Sequence, residues 1–218
     1  MNNMKHVFFK PWVGKNYKTG GIFKKKILVV GESHYCGNEE CNGRCGFRDF
    51  PEGGGECEIF TKNTVEVYLS GKKERWTPTY RKFERSLINK VTTIEESREI
   101  WHSIAFFNFL QVAMTEARKS GTGEDYEEGR KAFLEVINEL QPNLIIVWGT
   151  SRLYYNLPYD GWIRGDILEY EWDNGEKKKI NNGYYQLKNG TKSRLIAVYH
   201  PSVGYSWKQW HKVISAEL

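Results

Sequence analysis

Four short runs of mostly hydrophobic residues recur along the chain, and each predicts a buried β-strand. The runs span residues 26–31, 102–108, 143–148 and 194–199. Inside each run the apolar residues are continuous and do not alternate with polar ones. Continuous apolarity is typical of strands that are covered on both faces, as in a parallel sheet.

Helical patterns lie between these runs. The clearest covers residues 126–140, where Phe133, Ile137 and Leu140 share one face and Pro142 follows the end. Shorter helices are predicted from Thr79, over 111–119, from Thr150 or Ser151, and over the segment that carries Trp207 and Trp210. Strands that alternate with helices predict an α/β fold with a mainly parallel sheet.

Two segments depart from this alternation. In residues 167–188, apolar and polar positions alternate around a turn rich in Asn and Gly, which predicts an antiparallel ribbon. Residues 36–60 are rich in Gly and Cys and predict a long loop. The chain of 218 residues is 39% hydrophobic and 27% charged, so we expect a single domain over residues 1–218.

Charge and hydropathy exclude some classes of protein. No apolar run reaches the roughly 18 residues of a spanning helix, and the N-terminus lacks the apolar core of a secretory signal. We therefore expect a cytoplasmic protein with no membrane partner, and a monomer. The net charge of +5 is compatible with a polyanionic partner such as a nucleic acid but does not require one.

All four cysteines fall within the predicted loop, and this clustering needs a physical cause. They are Cys36, Cys41, Cys45 and Cys57. In a reducing compartment, clustered cysteines bind metal more often than they form disulfides. Four thiolates suit a structural zinc or an iron–sulfur cluster, and reduced, unliganded thiols are the alternative.

Polar residues stand where three of the predicted strands end. Glu32 and Ser33 follow the first strand, Asn108 ends the second, and His200 follows the fourth. The carboxyl ends of parallel strands meet at one edge of the sheet, where α/β proteins bind their ligands. We therefore expect these side chains to form one site.

Five short motifs in a fixed order carry a family resemblance. They are Val-Val-Gly31-Glu32-Ser33, Phe-Phe-Asn108, the run from Leu140 to Gly149, Ile163-Arg164-Gly165 and Tyr199-His200-Pro201-Ser202. Together they resemble the uracil-DNA glycosylase superfamily. The first motif is closest to the iron–sulfur branch, which has Glu directly after the glycine, and Ser33 stands where the best-known branch has its catalytic Asp. The resemblance implies a three-layer α/β/α fold with a four-stranded parallel sheet.

The resemblance also implies a reaction: hydrolysis of the N-glycosidic bond of a flipped, deaminated or modified base in DNA repair. A carboxylate such as Glu32 can stabilise the cationic sugar and orient water, and neutral His200 can donate to the departing base. Base-binding residues are then Asn108, Tyr35, Ser33 and a stacking ring, Phe47 or Phe50. The residues expected to contact DNA are Ser202, Val203, Tyr205 and Arg164, with Val203 and Tyr205 as wedge candidates.

Two other functions fit parts of the pattern. One is a non-catalytic nucleic-acid-binding relative that keeps the fold while the first motif has changed. The other is an SGNH-type ester hydrolase with Ser33 as nucleophile and His200 as base. That class expects an acidic residue three positions before the histidine, where this chain has Ala197.

Overall fold

The computed structural model describes residues 4–36, 55–116 and 119–218. Its strands are β1 Trp12–Val13, β2 Ile27–Gly31, β3 His34–Tyr35, β4 Ile104–Asn108, β5 Ala113–Met114, β6 Leu144–Trp148, β7 Trp162–Arg164, β8 Leu168–Glu171, β9 Lys177–Ile180, β10 Asn182–Gln186 and β11 Lys192–Val198. Its α-helices are α1 Gly55–Glu58, α2 Phe60–Leu69, α3 Thr77–Ile88, α4 Ile94–Ser103, α5 Gly123–Leu140, α6 Arg152–Tyr155 and α7 Trp207–Ser215.

A seven-stranded sheet forms the centre of the fold, in the order β1-β4-β2-β6-β11-β10-β7. The four strands predicted from the apolar runs, β4, β2, β6 and β11, are its mutually parallel part. The expected four-stranded sheet is not confirmed, because antiparallel β1 adds to one side and antiparallel β10, followed by β7, adds to the other. A two-residue strand such as β1 is too short to leave a readable pattern.

Successive residues of the parallel strands point to opposite faces of the sheet and build two separate hydrophobic cores. Leu28 and Val30 of β2 pack on the face covered by α5. Ile27 and Val29 face α2, α3, α4 and α7. The side chains of all four residues are fully buried. This double burial explains why the runs are continuously apolar.

The predicted ribbon over 167–188 divides into two parts. Strands β8 and β9 form a separate antiparallel hairpin, with Leu168 opposite Ile180. Strand β10 instead pairs with β11 in the central sheet. The antiparallel pattern is therefore confirmed, but the segment contributes strands to two sheets where a single ribbon was expected.

The predicted helix over 111–119 is wrong in its described part. Strand β5 lies there and pairs in parallel with β3, with His34 opposite Ala113. The buried Gln111 side chain accepts the backbone N–H groups of Phe8 and Phe9 and donates to the carbonyl of Asn108. These tertiary hydrogen bonds hold an irregular backbone that no local pattern reveals.

Residues 36–60 were expected to be a loop throughout. Their described C-terminal part is helical, since α1 spans Gly55–Glu58 and α2 begins at Phe60. Among the helices of the described residues, none is both long enough and apolar enough to span a bilayer.

Candidate active site

Glu32 directly follows β2, and the last residue of that strand is a glycine. Gly31 lies directly opposite Asn108 of β4, and a Cβ at position 31 would be 2.4 Å from the Asn108 Oδ1. A side chain at position 31 would force the Asn108 amide to move. The backbone then continues the pairing, with the N–H of Leu110 donating to the Glu32 carbonyl at 2.8 Å.

Two side chains hold the Glu32 carboxylate. The guanidinium of Arg152 donates from Nε to Oε1 and from Nη2 to Oε2, both at 2.5 Å. The Tyr126 hydroxyl donates to Oε1, also at 2.5 Å. Burial and the neighbouring carboxylate raise the pKa of Tyr126, so the phenol keeps its proton and remains a donor. The carboxylate is thus oriented from two directions, with 17% of its side chain exposed.

Local sequence positions both partners. A capping box between Thr122 and Asp125 begins α5 and places Tyr126 in its first turn. Gly149, with φ of +147°, turns the chain from β6 into α6, where Arg152 is the first residue. Arg152 also donates from Nη1 to the Ser120 hydroxyl.

This cluster lies at the topological switch point of the sheet. From β2 the chain crosses to β4 on one side, whereas β6, the other neighbour of β2, leads to β11. Glu32 follows β2 and Arg152 follows β6, so their ion pair spans the crevice between these strands. Crevices of this kind are the usual ligand sites of open α/β sheets.

His200 follows β11 at the same edge. The backbone N–H of Ser202 donates to Nδ1 at 3.2 Å, and the Ser202 hydroxyl lies 2.7 Å from the same nitrogen. Because Nδ1 accepts, the neutral ring carries its proton on Nε2. Burial lowers the pKa of His200, and the charge of Glu32 acts in the opposite direction. His200 is therefore a neutral donor within the electrostatic reach of Glu32.

Asn108 lies near Glu32 but is engaged elsewhere. Its Nδ2 is 3.1 Å from each ring nitrogen of His34, whose Nε2 is 2.8 Å from the Thr61 hydroxyl. The His34 ring is buried between the rings of Phe9 and Phe60. The amide that was expected to read a base therefore bonds to a histidine that the sequence did not connect with it.

The burial of His34 predicts that the stability of the fold depends on pH. Burial lowers its pKa to about 3, whereas an unfolded histidine titrates near 6.5. Between these two pKa values only the unfolded state binds the proton. The contribution of His34 to the free energy of unfolding is therefore complete above about pH 6.5. Below that pH it is lost by about 1.4 kcal/mol per pH unit. Urea unfolding at about pH 7 and about pH 5 is expected to show this loss, and the variant His34→Gln should lack it.

A ring NMR titration of the unmodified protein gives a second measurement that needs no variant. Protonation of His34 near the value of an unfolded histidine would contradict the expectation.

The other expected site residues are dispersed. Tyr35 is exposed on β3, Ser33 is half-buried beside it, and Val203 is 64% exposed in the turn after His200. Arg164 is exposed on the edge strand β7. The hydroxyl that contacts His200 belongs to Ser202 and not to Ser33, so the geometry lends no support to an ester-hydrolase pair.

Tyr205 was expected as a wedge into DNA, but its side chain is buried. Its hydroxyl lies 2.7 Å from the Ser86 hydroxyl, and its ring stacks on Trp210 at 6.0 Å. A tyrosine with a satisfied hydroxyl packs as a core residue. Val203 is therefore the exposed candidate for that role.

Two of the four cysteines fall within the described residues. Among the described residues Cys36 and Cys57 form no disulfide, and both are half-buried against the small cluster of Phe8, Phe9 and Ala113. Cys41, Cys45, Phe47 and Phe50 lie outside the described residues. Over the described ranges no group of three or more metal-binding side chains occurs.

Tyr126 and Arg152 are site residues that sequence reasoning missed. The only signal for Arg152 was its position just after the third predicted strand, and Tyr126 was predicted only as one residue of an amphipathic helix.

No model of a known protein family matches the chain, and neither does any curated protein. The family resemblance therefore depends on the five sequence motifs alone.

Proposed function

We propose that the protein is a DNA glycosylase-like hydrolase that cleaves the N-glycosidic bond of a flipped, uracil-type deaminated or modified base. The observation that carries the proposal is the placement of Glu32 and His200 at the same edge of the sheet, where the charge of Glu32 acts on His200. Both β2 and β11 neighbour β6, so their axes are about 10 Å apart. That separation accommodates a nucleoside with its sugar near the carboxylate and its base near the imidazole.

The chemistry assigns each group a role. As the bond between C1′ and the base nitrogen breaks, its electron pair leaves with the base and the sugar becomes an oxocarbenium-like cation. Glu32 stabilises that cation and orients a water, whose oxygen bonds to C1′ while its proton passes to solvent, from which the departing base anion takes up a proton. The Nε2–H of His200 donates to a base oxygen as negative charge develops there. Ser202 keeps the proton on Nε2 by occupying Nδ1.

Arg152 and Tyr126 are positioning residues in this scheme. Their three hydrogen bonds to Glu32 limit its rotamers, so the carboxylate does not need to be ordered when substrate arrives. Oε1 accepts two of these bonds and Oε2 only one, so Oε2 has a further lone pair for water or for the sugar cation. Arg152, with 41% of its side chain exposed, also offers positive charge for a DNA phosphate.

The same contacts favour a second candidate, a nucleic-acid-binding relative without catalysis. A carboxylate paired with arginine presents less negative charge to a sugar cation than a free one. The amide of Asn108, which would read the base, already bonds to His34. These two observations suit a protein that keeps a base pocket but does not cleave.

A base-release assay separates the two candidates. We expect the protein to release free base from oligonucleotides that contain uracil or a modified base, leaving an abasic site that alkali cleaves. The same oligonucleotides with only ordinary bases are the control. Binding of the modified oligonucleotide without release would overturn the proposed activity and favour the non-catalytic relative.

We further propose that the cysteines hold zinc or an iron–sulfur cluster. Cys36 and Cys57 pack against one hydrophobic cluster, so the two ends of the cysteine-rich segment lie on a common surface. Together with Cys41 and Cys45 they supply four thiolates, a ligand set that suits either group. The metal would link Cys36, which follows β3, to Cys57 of α1. Elemental analysis and a visible absorption spectrum distinguish zinc, iron–sulfur and free thiols.

A further inference from the structure

A cavity of about 290 Å³ lies beside α6, next to the candidate active site. Its walls are mostly aromatic, and the lining side chains include Tyr154, Tyr155, Tyr159, Trp162, Tyr185 and Arg164. Neither Glu32 nor His200 lines it. It is therefore a separate pocket at the same end of the molecule.

The aromatic walls are of two kinds. Trp162 packs against Tyr185 at 5.1 Å and Tyr154 at 6.2 Å, and the Tyr185 hydroxyl donates to the Pro158 carbonyl at 2.6 Å. These rings form a fixed floor. Tyr155 and Tyr159 are 69% and 83% exposed, so they add little to the core. Two exposed rings above an ordered aromatic floor form a surface on which a planar ligand can stack.

Arg164 adds a positive charge to this surface. Residues 162 and 164 alternate along β7 with exposed Ile163, so Arg164 shares the cavity face with Trp162. Within the described ranges Arg164 has no ion-pair partner. A free guanidinium beside stacked rings suits a phosphate joined to an aromatic base.

The cavity is connected to the site through α6 and the loop before it. Arg152, which holds Glu32, and Tyr155, which lines the cavity, are one helical turn apart, about 5 Å along the axis. Asn181, also a lining residue, donates to the Thr150 carbonyl at 2.8 Å. These links place the cavity about one helical turn from the arginine that holds Glu32.

We propose that the cavity is a subsite for the base of a nucleotide that flanks the flipped one in single-stranded DNA, with Arg164 on the adjoining phosphate. This inference rests on the proposed function, which supplies the flipped nucleotide. It requires a single strand because bases inside a duplex stack on their own neighbours and offer no free face. Stacking on aromatic side chains strengthens binding by about 5- to 150-fold per base.

The test is binding of a short thymidine oligonucleotide, followed by fluorescence anisotropy. The double variant Tyr155→Ala/Tyr159→Ala is expected to bind at least about tenfold more weakly. Arg164→Gln is expected to reduce the salt dependence of binding by about one unit of slope. Tyr184→Ala is the control, because Tyr184 is an exposed β10 tyrosine on the opposite face from Tyr185 and should change affinity by less than about twofold.

Three results would overturn the subsite: full affinity in the double variant, tighter binding of a duplex of the same sequence, or tighter binding of the matching RNA. Both tyrosines are exposed, so circular dichroism should show the variant folded. Tyrosine-dependent binding of single strands without base release from any substrate would refute the glycosylase activity and leave the subsite standing. Base release from single strands that is unchanged in the double variant would refute the subsite and leave the activity standing.

Discussion

Replacing Glu32 with glutamine is expected to lower the rate of base release by about 10²- to 10⁴-fold, the usual contribution of a catalytic acid or base. Glutamine keeps the size of the side chain and one carbonyl oxygen for Arg152 and Tyr126. It removes the negative charge that stabilises the sugar cation. Single-turnover kinetics on the best substrate of the base-release assay measures the effect.

Glu95→Gln is the matched control for this variant. Glu95 is a surface carboxylate of α4, with 73% of its side chain exposed, and forms a long ion pair with Arg98. Its removal should leave base release unchanged. Melting temperatures of both variants show whether the fold is retained. A Glu32→Gln protein that is folded and cleaves at the original rate would remove Glu32 from the mechanism.

Replacing His200 with alanine is expected to lower base release by about 10²- to 10³-fold, the usual cost of losing one preorganised donor to a developing negative charge. The ring lies partly buried against Trp148, and its Nδ1 is occupied by Ser202, so Nε2 is the atom that donates. His6→Ala, at a histidine that bonds to Glu128 of α5, is the control.

The tautomer can be measured separately from activity. Nitrogen NMR shifts of His200 near neutral pH should report a neutral ring protonated on Nε2, because burial lowers its pKa. A ring protonated on Nδ1 would contradict the proposed donor even if the alanine variant were slow. If His200→Ala released base at the original rate while the unmodified protein showed the expected tautomer, His200 would be a structural residue and not a donor in the reaction.

Some tertiary features could not be read from local patterns. The helix predicted over 111–119 failed because Gln111 uses its side chain to hold residues near the N-terminus, and such long-range bonds leave no periodicity. Tyr205 was read as a surface residue because its position after a loop motif hides the Ser86 partner that buries it. In each case a hydrogen bond to a residue distant in the sequence decided the structure, and the local pattern predicted it wrongly.

The sequence by itself determined the four parallel strands and the order of the polar residues at their ends. Strand burial on both faces and strand termination are local properties, so continuous apolar runs and the residues that follow them are sufficient. Only the tertiary structure decided which of those residues meet. Glu32 and Arg152 are 120 positions apart and pair because β2 and β6 are neighbours across the switch point. Strand order depends on how helices pack over both faces, which no short segment encodes.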